Sequence, residues 1–266
     1  MTYTTFMKNT ALRRIYQISV LALAGIAASG CTRPSAPFDS ALFVKGENVL
    51  NFNSAVEDAQ VSWTSDGYGN GGMFRSVWSK NRVRYQDGIG YLSVVDQGDK
   101  NYGAEIRTYK GYLYGYFGAR MKTFKRSGTV QSVFTYNGGK YIWDEIDIEI
   151  LGKDTTKVQF NYYHEGKGEH EYLYDLGFDS SEDFHDYGFK WEKNKITWYV
   201  DFKPVYAADA SLGQWGKFFI NVWAALPHMV NWTGPYEPTE TPLEAAYDYI
   251  CYAPVPESQI IEVDQQ

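Results

Sequence analysis

Cysteine is nearly absent from this chain: Cys31 and Cys251 are the only two in 266 residues. Long runs with helical periodicity are also missing, and no segment repeats. An excess of positive charge is lacking too. Lys and Arg number 25 against 32 Asp and Glu, a formal charge of −7. The first thirty residues hold Lys8, Arg13 and Arg14 and no acid, so the remainder carries 22 basic and 32 acidic residues, or −10. An acidic body excludes nucleic acid as a partner, since phosphate backbones need cationic grooves. The four histidines, His164, His170, His185 and His228, lack metal-ligand spacing and read as surface or loop residues.

Aromatic side chains are plentiful: 17% of residues, with 23 Tyr and 8 Trp. Tyrosine favours strands. A surplus of flat rings also suits a groove that stacks on flat apolar ligands, such as the C–H face of a β-linked sugar.

The N-terminus reads as an address. Lys8, Arg13 and Arg14 precede an apolar stretch from Ile18 to Ala28, followed by Ala28-Ser29-Gly30-Cys31. A positive head, a short apolar body and a small-residue exit describe a secretory signal. The apolar run is too short to span a bilayer. Cysteine after Ala-Ser-Gly resembles the bacterial lipobox, in which that cysteine is lipidated; the alternative is plain secretion with a free Cys31. The expected layout is a lipoprotein signal over 1–30, a tether over 31–44, a catalytic domain over 45–254 and a tail over 255–266. The tail offers no visible partner. An acylated Cys31 would hold the protein at a membrane outside the cytoplasm, at the outer membrane or cell surface. It would also leave no internal disulfide, and Cys251 in YDYICYAP reads as a buried thiol.

The body is a series of short alternating runs, among them AEIRTY from Ala104, TVQSVFTY from Thr129, KVQFNYY from Lys157 and KFFINVW from Lys217. Gly, Asp and Asn separate them. Many short strands with glycine-rich turns predict an all-β fold. The length suits a jelly roll of two large, curved antiparallel sheets in one domain.

The stretch WDEIDIEI, Trp143 to Ile150, carries the chemistry. Alternate residues of a strand face opposite sides. Trp143, Glu145, Asp147 and Glu149 therefore share one face, and Ile146, Ile148 and Ile150 share the core face. Asp144 has core parity, so it is expected at the strand end, reaching water. Same-face neighbours are about 6.6 Å apart, a spacing at which like charges resist joint ionisation. A solvated outer face or a calcium cluster could also use three acids. Glycoside hydrolysis needs two carboxyl groups flanking one bond, and two glutamates leaning together on a concave strand would supply them. Crowding raises at least one pKa, which keeps a general acid protonated near neutral pH.

The run WDEIDIEILGKDTTKVQFNYY, Trp143 to Tyr163, resembles the bacterial lichenases of glycoside hydrolase family 16. DGYGNGGMF from Asp66, AEIRT from Ala104, YGYFGARMK from Tyr114, GTVQSVFTYNG from Gly128, NVW from Asn221 and YDYICY from Tyr247 are similar to that family's segments, in the same order. The resemblance implies a concanavalin-like jelly-roll sandwich with its cleft on the concave face. It implies endo-hydrolysis of mixed-linkage β-1,3-1,4-glucan with retention, by a monomer with no catalytic cofactor. Glu145 would be the nucleophile, Glu149 the acid/base and Asp147 the assisting acid. Substrate contacts are implied at Tyr68, Asn70, Glu105, Arg107, Phe134, Tyr136, Trp143, Asn161, Tyr163, Trp223 and Trp232. Phe134 and Trp223 could instead be core residues, and Glu105 and Arg107 could simply pair. A structural calcium ion is implied at Asp248 with backbone oxygens near Asn51 and Gly88.

Two departures stand out. A disulfide common in the family would join the positions of Ser76 and Gly103, so it is absent here. The segment ALPHMVNWTGPYEPTETP, Ala225 to Pro242, also differs from the family's. The alternatives are a relative active on laminarin or xyloglucan, or a glucan-binding lipoprotein without catalysis.

Overall fold

Period-two alternation is realised along most of the chain. The computed structural model describes residues 47–138 and 142–261. The signal segment, the tether and Cys31 lie outside these residues. The strands are β1 (Glu47–Leu50), β2 (Ser62–Thr64), β3 (Val77–Trp78), β4 (Val83–Gln86), β5 (Ile89–Gln97), β6 (Lys100–Leu113), β7 (Gly115–Lys122), β8 (Thr129–Tyr136) and β9 (Glu145–Leu151). There follow β10 (Lys157–Tyr163), β11 (Tyr172–Asp175), β12 (His185–Glu192), β13 (Lys195–Val200), β14 (Lys203–Ala208), β15 (Gly216–Ala224), β16 (Leu243–Ala253) and β17 (Gln259–Ile261). Two one-turn α-helices, Ala55–Asp58 and Val230–Thr233, sit in connections.

The strands make the expected jelly-roll sandwich. One sheet runs β11-β10-β9-β8-β15-β6, with β2 and β17 on the far side of β6. The other runs β14-β13-β12-β7-β16-β5-β4, with β1 also on β16. The β5–β6 hairpin, pairing Val95 with Tyr102, joins them. All these pairings are antiparallel; β3 lies parallel to β6. The tail, for which the sequence shows no partner, adds a strand: Gln259 to Ile261 pairs with Leu113 to Gly111.

Ile146, Ile148 and Ile150 are fully buried between the sheets, beside Trp198 and Phe160. Each contributes about 1.5–3 kcal/mol relative to exposure. A slip of one residue would exchange them for the acids, so packing fixes the register of β9. Trp198 of the opposite sheet adds a hydrogen bond across the core, its Nε1–H donating to the Asp147 carbonyl at 3.0 Å.

Asp144 departs from expectation. It precedes β9 and is buried, away from water. Its carboxylate accepts from the backbone N–H groups of Glu165, Gly213 and Gln214 at 3.0, 2.9 and 3.0 Å. Three amide donors replace hydration, which is why a carboxylate can sit there. Cys251 is buried as expected, and burial pushes its thiol up.

Ser76 and Gly103 are neighbours, as the missing disulfide requires. A Cβ on Gly103 would stand 3.0 Å from Ser76 Cβ and 2.6 Å from the Val222 carbonyl oxygen. Ser76 Oγ instead donates to Asn101 Oδ1 and accepts from Ala224 N–H at 2.8 Å.

Candidate active site

The site is assembled by register. Directly opposed residues on neighbouring strands share a sheet face. One row on the concave face runs Trp63–Arg107–Phe219–Phe134–Asp147–Asn161. The next runs Glu105–Asn221–Ser132–Glu149–Gln159–Leu173. On the other side of the first lies Lys217–Tyr136–Glu145–Tyr163. These rows floor a cleft of about 810 Å³. Glu145, Asp147 and Glu149 line it, as do all eleven residues expected to touch substrate.

Asp147 is buried, and Glu145 and Glu149 are half-buried. Desolvation is the largest cause pushing each carboxyl upward. Glu145 rises to about 7, held back by hydrogen bonds from Trp143 and Asp147. Trp143 Nε1–H donates to Glu145 Oε2 at 2.6 Å. Glu149 rises to about 8, through burial and the Glu145 charge; a hydrogen bond from Gln159 opposes this, and Glu171 adds to the rise. Asp147 is raised well above the usual range by burial, then by the charges of its two neighbours, then by its hydrogen bond to Glu145. That bond raises Asp147 and lowers Glu145, so Asp147 is the donor. All three carboxyls are pushed toward the protonated form, and Glu145 is the one that hydrogen bonds from Trp143 and Asp147 hold back.

The remaining polar groups converge on the same floor. Tyr68 O–H donates to Ser65 Oγ at 2.8 Å, and Ser65 O–H donates to Glu105 Oε1 at 2.7 Å. Glu105 also accepts from Asn221 Nδ2 at 3.3 Å, and burial raises it. Arg107 lies over the Trp63 ring, 4.1 Å from its centroid, so stacking as well as the nearby Glu105 charge fixes it. Asn70 Oδ1 accepts from Trp78 Nε1–H at 2.9 Å. Arg107 Nε, Asn161 Oδ1 and Asn221 Oδ1 are buried without a hydrogen-bond partner. Such atoms at a cleft floor are suited to ligand hydroxyls.

Trp143 is 36% exposed and stacks on Tyr163 at 4.6 Å and 9°. Phe134 and Trp223 line the cleft yet are buried, Phe134 stacked on Phe219 and Trp223 against Phe74. They shape the floor more than they present a free ring. Gln159, Asn221, Ser132 and Glu171 also line the site and were not anticipated. Parity could have found three: Gln159 with Asn161, Asn221 with Trp223, and Ser132 with Phe134. Glu171 precedes β11 in a connection that carries no such signal.

The calcium positions gather at one end of the other sheet. Asn51 follows Leu50, which pairs with Ile250; Gly88 lies two residues before Gly90, which pairs with Tyr247. Asp248 is the extra residue of the bulge between Tyr247 and Tyr249, with its Oδ2 3.6 Å from Arg120 Nε. Among the described residues, no three His, Cys, Asp or Glu side chains form a metal-holding group.

The family model for glycosyl hydrolases family 16 matches residues 70–241. A beta-glucanase of Acetivibrio thermocellus is 39% identical over 258 residues, covering 93% of this chain and 73% of that protein. A beta-glucanase of Brevibacillus brevis is 42% identical over 207 residues, covering 74% and 79%. Among solved structures, a prokaryotic beta-1,3-1,4-glucanase (lichenase) derived from a mouse hindgut metagenome has a TM-score of 0.73 at 45% identity, over 79% of this chain and 98% of that one. The Bacillus licheniformis beta-glucanase has a TM-score of 0.74 at 39% identity, over 77% and 97%.

The raised carboxyls make stability depend on pH. An acid whose folded pKa is raised favours the fold below its ordinary value and loses that contribution as pH rises through the folded value. The melting temperature should therefore fall as pH rises from 4.5, the ordinary glutamate value, and level off beyond about 7 to 8, the folded values of Glu145 and Glu149. Glu149→Gln, which cannot ionise, should fall less steeply; equal slopes by calorimetry would refute the assignment. With its concave cleft, its acidic strand and its relatives in view, the chain belongs to glycosyl hydrolases family 16.

Proposed function

We propose that this glycoside hydrolase cuts mixed-linkage β-1,3-1,4-glucan internally and with retention. The observation that carries the reading is the acidic strand: Glu145 and Glu149 on the floor of one cleft with Asp147 between them, Glu145 holding hydrogen bonds to its carboxylate and Glu149 raised enough to keep a proton near neutral pH. Relatives named as beta-glucanases and a lichenase support the substrate class.

In the first step Glu145 bonds to the anomeric carbon and the glycosidic C–O bond breaks. The proton of Glu149 passes to the departing oxygen. In the second step water bonds to the same carbon, returns a proton to Glu149, and Glu145 leaves. Asp147, donating to Glu145, steadies the nucleophile and shares its charge.

The test is to incubate the protein with barley β-glucan, laminarin and xyloglucan and follow new reducing ends. Barley glucan should be cut fastest. Cleavage of laminarin or xyloglucan alone would move the assignment to those substrates, and binding without cleavage would leave a glucan-binding lipoprotein. Glu145→Ala should lose turnover by on the order of 10³-fold or more. Its fold should survive, and azide should restore cleavage of an activated aryl glycoside. Near-normal activity in that variant would sink the nucleophile assignment.

Two further parts of the reading lie away from the cleft. Cys31, after Ala28-Ser29-Gly30, is proposed as the acylated anchor that holds the enzyme outside the cytoplasm. Fatty-acid labelling should be lost in Cys31→Ser; a label that persists there would reject the anchor. Asp248, with backbone oxygens of Asn51 and Gly88, matches in kind the oxygen donors that a calcium ion takes. Calcium would compete with Arg120 for that carboxylate. Added calcium should raise the melting temperature of the wild type and not of Asp248→Asn; no rise in the wild type would dismiss the site.

A further inference from the structure

Trp232 sits on the one-turn helix Val230–Thr233, in the segment that departs from the family pattern. That segment is pinned on either side of Gly234. Gly128 N–H donates to the Thr233 carbonyl at 2.8 Å, and Asp96 accepts from Tyr236 O–H at 2.6 Å and from Thr239 N–H at 2.8 Å. Trp232 packs against Trp223, with ring centroids 6.0 Å apart. Its Nε1–H donates to Gln159 Oε1 at 3.1 Å, and Gln159 Nε2 donates to Glu149 Oε2 at 2.9 Å.

The polarity of this chain is forced. An indole N–H can only donate, so Gln159 must turn its carbonyl oxygen toward Trp232. Its NH₂ end then faces Glu149, and an amide NH₂ cannot accept. Glu149 Oε2 is therefore an acceptor, and a proton on this carboxyl resides on Oε1. We infer that Trp232 is a positioning residue that, through Gln159, selects the oxygen of Glu149 that gives and regains the catalytic proton. The inference rests on the reading of Glu149 as the acid/base.

Without the indole N–H, the Gln159 amide can invert and accept from Glu149, drawing the proton onto Oε2. The other charged or titratable groups acting on or near Glu149 are Glu145 and Asp147 on its own strand and Glu171 before β11; Glu105 and Arg107 on β6, with Tyr136 and Tyr163, line the same cleft. Replacing Trp232 alters none of them.

The experiment compares wild type, Trp232→Phe and Glu149→Gln on barley β-glucan and on a dinitrophenyl β-glucan oligosaccharide, whose leaving group needs no proton. kcat/KM reports the first step for both. Trp232→Phe keeps an aromatic ring in the cleft and removes the N–H together with part of the indole's contact area, a loss of stacking that both substrates share. It should lose about tenfold or more on the polymer and little on the dinitrophenyl substrate. The alkaline limb of its pH profile should move upward, since a donor to the anionic form of Glu149 is gone. Equal losses on both substrates with an unmoved limb would overturn the inference and leave Trp232 as a sugar contact. Glu149→Gln checks the underlying reading separately: it should lose far more on the polymer than on the dinitrophenyl substrate. If it does so while Trp232→Phe does not, only the relay fails. If Glu149→Gln loses equally on both, the acid/base reading fails. Should Trp232→Phe not fold, Gln159→Met carries the same comparison.

Discussion

Withdrawing three carboxyl groups from water on one strand face is the constraint around which this molecule is organised. Such groups resist both burial and one another, and an isolated strand would turn them outward. The opposite face prevents this. Ile146, Ile148 and Ile150 are fully buried, and Trp198 bonds to the Asp147 carbonyl from across the core. Apolar packing supplies the force that keeps the acids in the cleft, and protonation relieves the repulsion that remains. Chemistry and folding thus make opposite demands on one seven-residue strand, and the alternation of its side chains lets both be met.

The same alternation explains what could be read without coordinates. A strand signals its own faces, so the shared face of the acids, the core face of the isoleucines and the sandwich were legible in WDEIDIEI and its neighbours. What one strand meets on another was not. Asp144 looks like a solvent-seeking acid because its three amide partners come from residues 165, 213 and 214. The resemblance placed Trp223 and Phe134 at the site, but their depth depends on Phe74 and Phe219, far away in sequence. The docking of Gln259–Ile261 on β6 likewise needs the edge that β6 leaves open. Residues whose role comes from a local period were visible; those whose role comes from a distant partner were not.

Register turns scattered segments into a continuous floor. Each concave row takes residues from four to six strands, and the row through Asp147 runs from an exposed Trp63 to Asn161. A ligand lying across the strands along that row would meet rings and a guanidinium, then a carboxyl, then an amide. The segment Ala225 to Pro242 contributes Met229 and Trp232 to this wall. It is tied through Gln159 to the strand that carries the acids.

Ser76 stands beside Gly103, which has no side chain to join, and its hydroxyl is held by hydrogen bonds. Among the described residues, the one cysteine is enclosed in the fold. This domain therefore has no bond that a thiol reductant can open and no pairing that an oxidase must choose. Its folding asks for no oxidant, and reductant should leave the shape of the cleft unchanged.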